Sequence, residues 1–256
     1  MALASGLLIE VAVESAEAAV AAAAAGGHRI ELCANLTEGG TTPSAGTIAV
    51  TLSRVRVPVF VMIRPRGGDF LYSDIELDVM LRDIEAAREA GAHGIVTGAL
   101  TADGSVDAAR TRKLVEAARP LPVTFHRAFD LAADLTRALD MLVECGVERV
   151  LTSGGAARAG DAIQVLAGLV RRAHERILVM PGGGINAGNA AQIIGATGAR
   201  EIHVGGTKPV AGGMRFRRPE ITFARPPLPD EYTLTAPDLD RLRGVIGALA
   251  VTHGAR

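Results

Sequence analysis

Tryptophan is absent from the 256 residues, and aromatic side chains make up 3% of them. Platforms on which bases or sugar rings could stack are therefore scarce. Lysine is nearly missing, since Lys113 and Lys208 stand alone against an otherwise arginine-based positive charge. Schiff-base chemistry, which needs a lysine amine inside a pocket, is disfavoured. The two cysteines, Cys33 and Cys145, lie far apart in a sequence without a secretory signal. A disulfide framework has no support, and the expected compartment is the cytoplasm. Long apolar runs are also missing: the stretch 7–13 is broken by Glu10 and is too short for a membrane span or a signal peptide. Neither sign of charge dominates, with 27 basic against 28 acidic residues. No field is available to attract nucleic acid or an anionic membrane, so the expected partner is a small molecule.

What the sequence does hold is apolar content, 48% of residues, in a length typical of one α/β barrel. Short β-rich runs at 7–13, 29–32, 58–63, 94–98, 122–126, 149–152, 177–180 and 201–204 alternate with Ala/Leu-rich helical stretches, the pattern of repeated βαβ units. Leu77, Met80, Leu81 and Ile84 form one helical stripe, and Leu135, Ala138, Leu139 and Leu142 form another. Ser73 with Glu76 makes a capping box, and Asn186 is placed to cap the seventh helix. Gly26, Gly91, Gly146 and Gly198 follow helical runs where a left-handed residue is needed. An open doubly wound sheet would share this local pattern, but eight units closing on themselves leave no exposed edges. The expectation is a single (β/α)8 barrel over residues 1–256, with a long loop at 205–234 before a last helix starting near Thr235.

In such a barrel the C-terminal strand ends and their loops build the site. Arg64 and Arg66, with Asp69, follow the third strand in a Pro/Gly-bounded loop suited to gripping a carboxylate or phosphate; an Arg–Asp network that only holds the loop is the alternative. Gly183 and Gly184 follow the seventh strand, and Gly205 and Gly206 the eighth, where backbone N–H groups commonly receive phosphate. His126 ends the fifth strand and Asp130 lies four residues on, placed for proton transfer with a carboxylate fixing the tautomer. Glu10 and Glu31 are carboxylates inside apolar strands. They need partners, Arg64 or Arg127 being the expected ones, unless they serve as general bases. Cys33 shares a side of its strand with Glu31, and His203 ends the eighth strand. The other histidines, such as His28 and His174, read as structural.

The stretches Glu31 to Cys33, Glu38-Gly39-Gly40, Thr42-Pro43-Ser44, IRPRGGDFLYS (63–73), Val96-Thr97-Gly98 with Asp103-Gly104, VTFHRAFD (123–130) and LTSG (151–154) resemble those of the CutC family. The likeness runs over roughly residues 7–250. It implies a TIM barrel, a cytoplasmic location, a homo-oligomer (dimer or larger) and a part in copper homeostasis. Many relatives carry a cysteine near Ala12, and a serine where this chain has Gly205-Gly206. Two functions follow. One is copper handling, with Cu(I) taken by Cys33 together with His126 or His203. The other is an isomerase- or lyase-type enzyme in which His126, Asp130, Glu10 and Glu31 move protons on a phosphorylated or carboxylated molecule.

Overall fold

The computed structural model describes residues 6–221, 223 and 230–253. Strands and helices alternate as β1 (Leu8–Val13), α1 (Ala16–Ala24), β2 (Arg29–Leu32), α2 (Ala45–Arg54), β3 (Val59–Met62), α3 (Asp74–Glu89), β4 (Gly94–Thr97), α4 (Ala108–Ala118) and β5 (Val123–Phe125). The series continues with α5 (Leu135–Glu144), β6 (Arg149–Thr152), α6 (Ile163–Ala173), β7 (Leu178–Pro181), α7 (Ala190–Thr197) and β8 (Glu201–Val204). All eight strands are parallel and neighbour one another in chain order, with β8 returning to pair with β1. No ladder joins β7 to β8 among the described residues, so the barrel is nearly closed, with one seam.

Local signals in the sequence explain most of the element ends. Ser73 and Glu76 exchange side-chain bonds with each other's backbone N–H at the start of α3, and Asp134 accepts from the N–H groups of Thr136 and Arg137 at the start of α5. These bonds satisfy donors that have no intrahelical acceptor. Gly146 has φ 77° just past α5 and Gly198 φ 69° just past α7, conformations that cost glycine nothing. Asn186 does not cap α7: the residue at that position is Asn189, and the Asn186 side chain instead accepts from Gly188 N–H within the preceding turn.

Alternation along the strands sorts side chains into two layers. Ile9, Ile30, Leu32, Val61, Ile63, Ile95 and Phe125 face the helices and join Leu77, Met80, Ile84, Leu139 and Leu142 in the main core. The opposite pleat fills the lumen, and its lower part is charged. Arg29 from β2 meets Glu10 of the neighbouring β1 (2.5 Å) and, on the far side of β1, Glu201 of β8 (2.6 Å); Arg149 of β6 meets the same Glu201 (2.5 Å). Both guanidinium groups lie over the Phe60 ring, at 4.8 and 5.4 Å. Phe60, Met62, Val96 and Cys33 form a small separate apolar cluster in the lumen.

Of the expected long loop at 205–234, residues 222 and 224–229 lie outside the described residues, and the described part carries a two-stranded ladder. Residues of β9 (Thr207–Ala211) and β10 (Thr233–Pro237) pair antiparallel, and α8 (Leu239–His253) begins four residues later than expected. Thr235 belongs to β10, where its backbone is extended to meet Pro209.

Candidate active site at the barrel mouth

The C-terminal strand ends enclose a cavity of about 420 Å³ lined by Ala12, Glu31, Met62, Arg64, Phe70, His126, Arg127, Leu151, Gly183, Gly184, His203, Gly205, Gly206 and Arg241, among others. Nearly every strand contributes, as the fold requires.

On one wall stand Glu10, Glu31 and His203. The β1–β8 register sets Glu10 beside His203, and the β1–β2 register sets Ala12 beside Glu31. His203 Nδ1 bonds Glu10 Oε1 at 2.9 Å, and His203 Nε2 lies 3.9 Å from Glu31 Oε2. Burial works against the Glu10 charge, but His203 and Arg29 outweigh it and hold this carboxyl at about 2. For Glu31 the balance is reversed: burial outweighs the support of His203, the Cys33 thiol and Arg29 and pushes the carboxyl up to about 7, and its buried Oε1 has no hydrogen-bond partner. For His203 burial is again opposed, and the Glu31 and Glu10 carboxylates raise it above the ordinary range. The partners of the two glutamates are therefore Arg29 and His203, not Arg64 or Arg127. Those two arginines extend from β3 and from the turn after β5, while Glu10 lies one layer deeper, beside Arg29.

Cys33 adjoins this wall, its Sγ donating to Glu31 Oε2 at 3.6 Å. Burial, and then the Glu31 charge, push the thiol well above its usual range. Among the described residues, Glu10, Glu31 and His203 are the group whose donor atoms come within 4.8 Å of one another. Cys33 and His126 lie outside it, so the structure does not gather the expected trio of Cys33, His126 and His203. Cys145 caps the far end of α5 and contacts the Ala108 carbonyl at 3.7 Å.

The opposite wall is formed by Arg64 and His126. The Arg64 guanidinium donates to three carbonyls, of Glu38 (2.7 Å), Gly40 (2.8 Å) and Gly68 (2.8 Å), and stacks over Phe70 at 4.8 Å. These acceptors are neutral, and Nε has no acceptor; the group is a buried cation facing the cavity without a carboxylate bonded to it. His126 Nδ1 accepts from Ala128 N–H at 3.2 Å, while Nε2 is buried without a partner. Burial, with the Arg64 charge beside it, drives this imidazole down to about 3. It stands neutral, with its proton on Nε2, as a hydrogen-bond donor to whatever enters.

Asp130 does not reach His126. The 3-10 turn at 127–131 carries its carboxylate to β6, where it accepts from Thr152 Oγ1 (2.5 Å), Ser153 N (2.9 Å), Gly155 N (3.1 Å) and Arg127 Nε (2.7 Å). The expected His–Asp dyad is absent because backbone and side-chain donors at the end of β6 take up the carboxylate. Arg66 and Asp69 likewise stay in their loop. Arg66 bonds Glu76 (2.6 Å), Asp69 (3.2 Å) and the carbonyls of Gly67, Asp69 and Leu71, and neither residue lines the cavity.

The four glycines do reach it. Gly183 and Gly184 have φ of 94° and 71°, and Gly206 has φ 141°. Among the described residues, the N–H groups of Gly183, Gly184, Gly205 and Gly206 donate to no protein acceptor. Sequence reasoning missed Arg29, Glu201 and Arg149, although Arg-Ile-Glu at 29–31 and Glu-Ile-His at 201–203 alternate polar with apolar residues as a polar lumen demands. Arg241, from α8, left no signal. Lys113 lies exposed on α4, and Lys208 pairs with Asp240 at 3.0 Å.

Fold and site together define a (β/α)8-barrel protein with a compact polar site at its C-terminal mouth. The model of the CutC family matches residues 7–208, and the chain belongs to that family. The human copper homeostasis protein cutC homolog is 48% identical over 240 residues, 94% of this chain and 88% of that protein. A family protein CutC of Mesorhizobium japonicum is 46% identical over 241 residues, covering 94% of this chain and 93% of its own. The crystal structure of CutC from Streptococcus agalactiae superposes with a TM-score of 0.72 at 38% identity, covering 78% of this chain and 98% of that one. No helix among the described residues is long and apolar enough to cross a membrane.

Proposed function

We propose that the chain works in copper homeostasis, in the cytoplasm and as a homo-oligomer, with the barrel mouth as its working site. The reading is carried by the relationship to proteins named for that role, at 48% identity over 94% of the chain. Copper as cargo would find a cysteine sulfur at this wall in Cys33, which must give up its proton to bind, with the imidazoles of His203 and His126 on the surrounding walls. Cu(I) favours sulfur ligands. Deleting the gene and measuring cellular copper and copper tolerance tests the role. Unchanged values in the deletion strain would overturn it.

A second reading has its own observation: four glycines that line the same cavity as Arg64 have N–H groups without a protein acceptor among the described residues. This is the equipment of a site for a small phosphorylated or carboxylated molecule. His126 Nε2–H would polarise an oxygen of that molecule, and Glu31, held near neutrality, would exchange a proton with it. Thermal shift with phosphate, sulfate and a panel of small carboxylates is the test, since a ligand of the folded state raises the melting temperature. No shift with any of them at millimolar concentration would remove the reading.

A further inference from the structure

Glu10, His203 and Glu31 form a graded series. Both oxygens of Glu10 are committed, Oε2 to Arg29 and Oε1 to His203 Nδ1. That second bond fixes the imidazole and aims Nε2 at Glu31. The 3.9 Å between Nε2 and Glu31 Oε2 is too wide for a hydrogen bond. It suits one ion bonded to both atoms, because two metal–ligand bonds of about 2.0–2.2 Å span at most about 4.4 Å. Glu31 is 3% exposed, and its Oε1 is buried without a partner, a second oxygen available at the same point. Metal-binding histidines characteristically give their other N–H to a carboxylate, which orients the ring and raises its basicity, and Glu10 stands in that place.

We propose that this wall is a binding site for a divalent first-row transition ion of the Zn²⁺ type, held by His203 Nε2 and Glu31, buttressed by Glu10 and completed by water from the cavity. The imidazole argues against Ca²⁺ and Mg²⁺, which take oxygen ligands, and the absence of sulfur from the ligand set argues against Cu(I). Cys33 serves only as a donor to Glu31. The ligand set therefore differs from that of copper handling through Cys33 in its oxygen donors, with His203 common to both.

Metal-stripped protein titrated with Zn²⁺ by calorimetry, and with Co²⁺ by visible absorption, tests the proposal. One ion per chain is expected, with the Co²⁺ bands of a nitrogen and oxygen environment. Glu31→Gln and His203→Gln should each weaken binding by more than about 100-fold, and Glu10→Gln by about 10- to 100-fold; Cys33→Ser should bind as the parent does. Melting curves without metal establish that each variant is folded. Stoichiometric binding weaker than about 100 μM in the parent would overturn the proposal. So would Zn²⁺ binding retained by folded Glu31→Gln and His203→Gln, or Zn²⁺ binding lost in Cys33→Ser.

Discussion

Glu31→Gln in chelator-treated protein should be more stable than the parent at pH 8 and no different at pH 4.5. The parent's carboxyl lies 3% exposed with one oxygen unpartnered, and the amide keeps its shape while removing its charge. Burial moves the group from its usual 4.5 to about 7, so the folded state holds the proton more tightly than the unfolded chain. The contribution of this group to the parent's stability is thus full below pH 4.5 and is lost as pH rises through about 7. Raising the carboxyl to about 7 corresponds to roughly 3 kcal/mol at alkaline pH. For a chain of this size that equals about 6–12 °C in melting temperature. The Glu31 charge also supports protonated His203, so the variant forfeits part of this gain near neutrality and shows it fully only above the imidazole's titration. Melting curves at half-unit intervals from pH 4.5 to 8.5 would show the two proteins diverging steadily. A difference that does not change with pH, or a less stable variant at pH 8, would refute the assignment of Glu31 as a carboxylate whose burial outweighs its partners.

Arg29→Met should cost about 3–5 kcal/mol in urea unfolding, because it strands Glu10 and half of the Glu201 pairing in the lumen; Arg82→Ala, at an exposed pair with Glu85, should stay within about 0.5 kcal/mol, and similar costs for both would contradict the buried network. Acid should unfold the parent between about pH 4.5 and 2, as Glu10, held at about 2, is protonated and its contribution disappears; a flat melting temperature over that range would exclude it. Gly183→Ala, with φ 94° and the Arg127 guanidinium 3.2 Å from the added carbon, should weaken any anion at least tenfold, whereas Arg66→Ala should not change it, both read by thermal shift with phosphate. For Cu(I) under reducing conditions, Cys33→Ser should lose binding and Cys145→Ser should keep it, and the opposite result would exclude the mouth as the copper site.

The barrel itself was legible because parallel strands covered on both faces announce themselves as short apolar runs between glycines, and β2, β6 and β8 fall on the expected residues. The boundary errors have local causes, such as the extended backbone of Thr235 in β10 and the turn that puts Asn189 rather than Asn186 at the N-cap position of α7. The rim was legible as a set of positions, but not as a set of bonds. Arg64 and Arg66 look equivalent in one motif, yet the first continues the lumen-facing pleat of β3 and the second swings out to Glu76 at the start of α3. Asp130 has the right spacing from His126 for a dyad, but a 3-10 turn rotates it onto the end of β6. Glu10 finds His203 only because the first and last strands meet, a consequence of closure that no local window contains.

The seam between β7 and β8 lies directly below the loops that carry Gly183, Gly184, Gly205 and Gly206. With no ladder between those strands, side-chain packing alone sets the width of the cradle, such as Leu151 and the His203 ring filling the space beside Gly182. An anion accepting N–H bonds from both loops would act as the missing rung, tying the ends of the chain's barrel together. Amide hydrogens facing the seam should then exchange faster than those of β2 or β3 in the free protein and slow when the cradle fills, so the same four glycines would read out occupancy as mechanical closure of the barrel.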